Sequence, residues 1–150
     1  MQPMTLLYPA IVAPDEGGRF LVKFPDLPEA LTDGATRAEA LAEAADCLSE
    51  ALASRIIDGE TIPLPSAATD GMVPVAPDQT IALKAALYDA LHRQGLRVAD
   101  LARRLGIDHK DARRLLDPKH RTKMPALVAA LNVLGSEVAV TIRTIEAAAE

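Results

Sequence analysis

At 150 residues the chain has room for one domain or two small ones, and its charge distribution favours two. Residues 1–75 carry four basic and twelve acidic side chains, net −8, whereas residues 76–150 carry twelve basic and nine acidic, net +3. A single cysteine, Cys47, excludes an internal disulfide framework, and without a Cys/His ligand cluster neither a zinc site nor any other metal or cofactor is expected. The N-terminus lacks the basic start and apolar run of a signal peptide, and no apolar stretch approaches the roughly 18 residues that span a bilayer, so a soluble cytoplasmic protein is expected. Tryptophan is absent and aromatic residues are scarce, which argues against a base-stacking platform for single strands.

The chain begins with residues 4–13, an apolar run containing Ile11 and Val12 that reads as a strand, with Pro9 placing it at an edge or a bulge. Asp15-Glu16-Gly17-Gly18 supplies turn chemistry, and Arg19 to Phe24 returns with Phe20, Val22 and Phe24 on one face, completing a β-hairpin. Phe24-Pro25-Asp26-Leu27-Pro28 breaks that strand, because its prolines donate no ladder hydrogen bonds. Ala30 to Thr32 is expected to form a third strand before Asp33-Gly34. Thr36-Arg37-Ala38-Glu39 is a capping box, whose hydroxyl and carboxylate satisfy orphan amides at a helix start. The helix runs to about Ile57 with Leu41, Ala45, Leu48, Leu52 and Ile56 on one stripe, which is expected to cover a sheet face, and Gly59 stops it. Residues 61–79 are rich in proline and read either as a flexible linker or as a packed connection, with Met72 to Val75 adding a last strand. The order β-β-β-α-β over residues 1–75 precedes a mostly helical second part, residues 76–150, an α+β organisation in two domains.

Residues 80–93 form the next amphipathic helix, through Ile81, Leu83, Leu87 and Leu91, and Gly95 ends it. Residues 98–116 then have the pattern of a helix-turn-helix. Ala102 occupies a position where two crossing helices admit only a small side chain, and Gly106 falls where the turn needs positive φ. Ile107 restarts the apolar pattern, Ala112 and Leu115 continue it, and Asp108 is placed to cap the second helix. Asp117-Pro118 closes that helix, and Pro125 opens another that runs through Leu134. Glu137 to Ile145 is β-branched and alternating, so a terminal strand is expected, pairing either with its twin in a dimer or within the monomer.

This arrangement points to double-stranded DNA. Residues 93–123 hold ten Lys or Arg against four Asp, a local net of +6 in an acidic chain. His109, Lys110, Arg113 and Arg114 fall on the outer face of the second helix, whose N-terminal residues enter the major groove in this motif. Arg97, Arg103, Lys119, Arg121 and Lys123 are expected on phosphates, setting affinity and register but not sequence. A dimer would offer two such helices to half-sites of a palindromic operator about one helical turn apart.

With Phe24-Pro25-Asp26-Leu27-Pro28, then Thr32-Asp33-Gly34-Ala35-Thr36 and Glu39-Ala40-Leu41, followed by a helix-turn-helix, the chain resembles HicB antitoxins over nearly its whole length. A glycine often follows the second proline in that family; here Glu29 stands there. The resemblance implies a partial ribonuclease H-like fold without catalysis over residues 1–75. It also implies that this domain covers HicA, a small basic mRNA interferase toxin with a double-stranded-RNA-binding-like fold and a catalytic histidine. A net charge of −8 on the N-terminal half suits a basic partner. The candidate toxin contacts are Phe24, Asp26, Leu27 and Glu29, the alternative for these residues being a packed loop with solvated acids. The resemblance further implies an operator upstream of the protein's own operon, and a homodimer or tetramer is expected.

An active nuclease is not expected. Ribonuclease H chemistry needs carboxylates converging on two metal ions, and residues 4–13 and 19–24 contain no Asp or Glu. Two rival functions are a free-standing transcription regulator with a ligand-sensing N-terminal domain, and a toxin-neutralising domain without a DNA role. No Gly-rich phosphate loop or polar pocket signature supports the first, and operator binding by an Arg113→Ala, Arg114→Ala variant discriminates the second.

Overall fold

The computed structural model describes residues 3–145 and has an α+β fold that divides into two compact units. One unit takes in the chain up to Ala51 together with Pro63–Asp78; the other takes in Leu52–Ile62 and Gln79–Arg143.

The first unit is built on an antiparallel sheet of β1 (Tyr8–Pro14), β2 (Phe20–Lys23), β3 (Leu31–Gly34) and β4 (Val73–Val75), in the order β3-β2-β1-β4. Asp15 makes the hairpin turn: its carboxylate accepts from Gly17 N (2.8 Å) and Arg19 N (2.9 Å), and Gly18 takes φ +80°. Register puts Val12, Val22 and Thr32 in one row and Ile11, Lys23 and Leu31 in the next, on the opposite face. On the first face Tyr8, Ala10, Val22 and Val75 are buried.

Helix α1 (Arg37–Ile57) follows the capping box: Glu39 N donates to Thr36 Oγ1 (3.1 Å), and the Glu39 carboxylate accepts from Ala35 N (3.2 Å). Its buried positions in this unit are Ala40, Ala44, Leu48 and Ala51, so the stripe expected at Leu41, Ala45 and Leu48 is rotated toward the alanines. Gly34 of β3 permits a close approach to the start of α1, because a Cβ there would lie directly against the backbone of Glu39 and Ala40. Tyr8 reaches along the chain to donate its hydroxyl to Pro63 O (2.7 Å), and Ser49 Oγ accepts from Asp78 N (2.9 Å). These bonds, with the pairing of β4 on β1, hold much of the proline-rich segment in place.

The second unit packs α2 (Gln79–Arg93), α3 (Val98–Leu105), α4 (His109–Leu116) and α5 (Met124–Val133) around Leu87, Leu91, Leu101, Leu115, Leu127 and Leu131. The turn after α1, closed at Gly59 (φ +70°), belongs to this unit, and Glu60 O accepts from the Tyr88 hydroxyl (2.8 Å). The strand expected over Glu137 to Ile145 is not formed: residues 136–145 have no regular secondary structure. The alternating β-branched side chains are there, but a strand also needs a neighbour for its amides and carbonyls. Val140, Ile142 and Ile145 stand 76%, 89% and 71% exposed.

Candidate functional site

In the second unit exposed basic residues recur from α3 to the start of α5. Helix α3 starts where Arg97 N donates to the Asp100 carboxylate (2.8 Å), a bond that together with Arg103 holds the Asp100 pKa below the usual carboxylate range. It ends at Gly106, whose φ of +67° lets Ile107 N turn back to Ala102 O (3.0 Å). Three residues later α4 is under way, capped by the Asp108 side chain, which accepts from Lys110 N (3.0 Å). Ala112 and Leu115 turn inward and are buried, as are Leu101 and Ala102 opposite. That leaves His109, Lys110, Arg113 and Arg114 exposed on the outside of α4.

The supporting basic residues are also exposed: Arg97 at the start of α3, Arg103 in its last turn, Lys119 and Arg121 between α4 and α5, and Lys123 capping α5. Two of the nine expected DNA contacts are partly neutralised by acids one turn earlier, Arg103 by Asp100 and Arg114 by Asp111 (3.4 Å). Arg104, which the sequence reading did not single out, is exposed beside Arg103 and adds to the same surface.

A further residue passed over in the sequence is Lys84 of α2. It is completely buried, and its Nζ donates to the carbonyl oxygens of Asp117 (2.5 Å), His120 (2.7 Å) and Arg114 (3.2 Å) and to Thr122 Oγ1 (2.9 Å). Burial pushes the pKa of this ammonium down, with Asp117 acting in the other direction. The signal was in the spacing, because residue 84 shares the helical face of Leu87, Tyr88 and Leu91, where a lysine must find buried partners.

In the first unit, the four residues expected at a toxin face separate. Phe24 is 1% and Leu27 0% exposed, so both are anchors of the core. Asp26 spends its carboxylate on Ser66, accepting from its N (2.9 Å) and Oγ (3.0 Å), while Glu29 faces solvent. The motif is thus a pair of tight turns, Leu27 N to Phe24 O (3.0 Å) and Ala30 N to Leu27 O (2.9 Å), nailed down by its two large apolar side chains. Beside Glu29, the loop exposes Pro25 and Pro28. With Ile11, Lys23 and Leu31 of the open sheet face, and Phe24 at the floor, they line a groove of about 330 Å³. Ile11 and Leu31 are 40% and 55% exposed there, an apolar pair that sequence alternation alone did not mark as a surface.

Among the described residues no cluster of three or more His, Cys, Asp or Glu is arranged to hold a metal ion, and no helix is long and apolar enough to cross a membrane. A family model described as a HicB-like antitoxin of bacterial toxin–antitoxin systems matches residues 7–86. The chain is 35% identical over 135 residues to antitoxin HicB 1 of Photorhabdus laumondii, covering 90% of this chain and 86% of that one. It is 36% identical over 131 residues to antitoxin HicB of Escherichia coli K12, covering 87% and 95%. Antitoxin HicB 2 of Photorhabdus laumondii is similar at 39% over 131 residues, covering 87% and 92%. With a fold, a motif and near-full-length relatives that agree, the chain belongs to the HicB family, the antitoxins of bacterial toxin–antitoxin systems.

Proposed function

We propose that this antitoxin neutralises a small basic HicA-type mRNA interferase through its first unit and represses its own operon by binding operator DNA through α3 and α4, a helix-turn-helix. The observation that carries the DNA half is the exposed quartet His109, Lys110, Arg113 and Arg114 on a helix held outward by the Gly106 turn and the Asp108 cap. Helix α4 enters the major groove with these four side chains facing the bases. Arg113 and Arg114 read guanine edges, each bidentate pair discriminating by about 1–3 kcal/mol. Arg97, Arg103, Lys119, Arg121 and Lys123 take phosphates on either side.

The toxin half rests on the family and on charge: the first 75 residues carry a net −8, which steers a basic partner and makes association salt-sensitive. Because Phe24 and Leu27 are in the core, the contact surface consists of Ile11, Leu31, Pro25 and Pro28 on the open sheet face, with Asp26 and Glu29 at the loop. The working form is a homodimer or tetramer in the cytoplasm, and the exposed Val140 and Ile142 favour strand pairing with a second copy.

The experiment is operator binding at physiological salt by the Arg113→Ala, Arg114→Ala double variant. A loss of specific binding with folding and toxin neutralisation intact is the expected result. Operator binding that survives would remove the recognition role from α4. For the other half, affinity purification from the host must bring down a small basic protein that arrests growth when expressed alone. Purification without such a partner would leave only the DNA-binding reading.

A further inference from the structure

Lys84 is not accounted for by either half of this reading. A buried apolar residue would fill the same volume between α2 and α4 at no electrostatic cost, since burying a charge is expensive unless it is fully hydrogen-bonded. The four acceptors around Nζ are what meet that cost. An ammonium has three hydrogens, so the carbonyls of Arg114, Asp117 and His120 and the Thr122 hydroxyl share them in a cage resembling that of a bound cation. No carboxylate oxygen is among these partners; the Asp117 side chain instead accepts from Lys119 N (2.9 Å). The positive charge is held by dipoles, one of them a carbonyl in the last turn of α4, where the helix dipole favours a cation.

All four acceptors lie at one place in the chain. They span the end of α4 and the connection to α5, the stretch that carries Lys119 and Arg121 and ends at Lys123. One buried side chain therefore fastens this basic connection to the helix proposed to enter the groove. Left loose, the connection would have to be ordered on every encounter with a duplex, and holding it in advance removes that cost from binding.

We propose that Lys84 is a positioning residue for nucleic-acid binding. Its ammonium clamps residues 117–122 to the end of α4, so that Lys119 and Arg121 meet phosphates flanking the groove that α4 occupies. This rests on the DNA-binding reading above. Lys84 touches no DNA itself; its effect reaches the duplex through the two exposed cations.

The test is the salt dependence of duplex binding by the full-length protein and its Lys84→Met variant. The probes are a duplex with the sequence immediately upstream of its own gene and a scrambled duplex of the same length. Each phosphate contact contributes about −0.9 to the slope of log K against log salt, so losing Lys119 and Arg121 should flatten it by roughly 1.8. The two proteins then converge near 1 M salt and differ by on the order of 60-fold at 0.1 M, with preference for the upstream duplex retained. A purely structural role would lower the folded fraction and shift log K equally at every salt concentration, leaving the slope alone; that result overturns the proposal. Thr122→Val removes one acceptor without opening a cavity and should flatten the slope by less, in the same direction. If Lys84→Met does not fold, the Thr122→Val slope decides, and an unchanged slope there overturns the proposal. A wild-type protein that binds neither duplex would instead refute the DNA-binding reading, and the role of Lys84 with it.

Discussion

Replacing Gly34 by alanine tests the packing of the first unit at its tightest point. A Cβ on Gly34 would lie 2.4 Å from Ala40 N, 2.8 Å from Ala40 Cα and 2.9 Å from the Glu39 carbonyl carbon. All three are backbone atoms, so no rotamer relieves the overlap, and the start of α1 must retreat by about 1 Å to reach ordinary contact. That retreat is opposed by bonds at the same place: Ala40 N to Thr36 O (2.9 Å), Glu39 N to Thr36 Oγ1 (3.1 Å) and Ala35 N to the Glu39 carboxylate (3.2 Å). Overpacking costs about 1–3 kcal/mol and a disrupted cap about 1 more, while the stiffer unfolded chain returns about 0.4–1 kcal/mol. The expected net loss is about 2–3 kcal/mol. For a unit of this size that is a fall in Tm of roughly 10–20 °C. Gly106→Ala is the control: its φ is +67° but a Cβ there meets open space, so the left-handed backbone alone costs about 1–2 kcal/mol before the same offset. The chain has no tryptophan and two tyrosines, Tyr8 in the first unit and Tyr88 in the second, so a Tyr88→Phe background makes Tyr8 a reporter of the first unit alone. Thermal unfolding followed in the near ultraviolet reads the difference. If Gly34→Ala melts no lower than Gly106→Ala does through its own unit's reporter, the close approach of β3 to α1 is not what the glycine serves.

Two further outcomes follow from the same geometry. Asp100 has a folded-state pKa below its unfolded value near 3.9, so its contribution to the second unit is present above that pH and is lost as the pH falls through the folded value. Acid titration of Asp100→Asn should therefore show a shallower stability loss below about pH 4 than the parent, and parallel curves would mean the α3 cap contributes nothing. Leu31→Asp, on the open sheet face, should leave first-unit stability within about 0.5 kcal/mol while weakening toxin binding at least about tenfold, read by calorimetric titration. Unchanged affinity would move the toxin face off the groove.

The parts of this fold that were legible in the sequence are those fixed within a few residues. The Thr36–Glu39 box, the Gly59 and Gly106 turns and the Asp108 cap each act over six residues or fewer, and the structure places them as read. Even there the carboxylate of Glu39 bonds Ala35 N and not the cap residue's own amide, a detail set by where the loop arrives from β3. The basic face of α4 was legible for the same reason, since helical spacing alone separates Ala112 and Leu115 from Arg113 and Arg114.

What the sequence left open depended on partners distant along the chain. Phe24 and Leu27 look like candidate contacts in a proline-bounded loop until the turns between them fold the segment back and carry both into the core. Lys84 was passed over although it shares the buried face of α2, because the acceptors that make its burial possible lie 30 to 38 residues away, in a connection with no pattern of its own. Glu137 to Ile145 is the opposite case, a segment whose alternation is strong and which forms no regular strand. Alternation sets which side chains share a face; whether a strand forms depends on a second set of amides and carbonyls, and those are supplied by another part of the chain or by another chain. Residues 136–145 form no regular strand, and Val140 and Ile142 are exposed. Two copies meeting at that segment would bury both residues and satisfy the backbone together. They would also set two α4 helices in a fixed relation, as a palindromic operator requires.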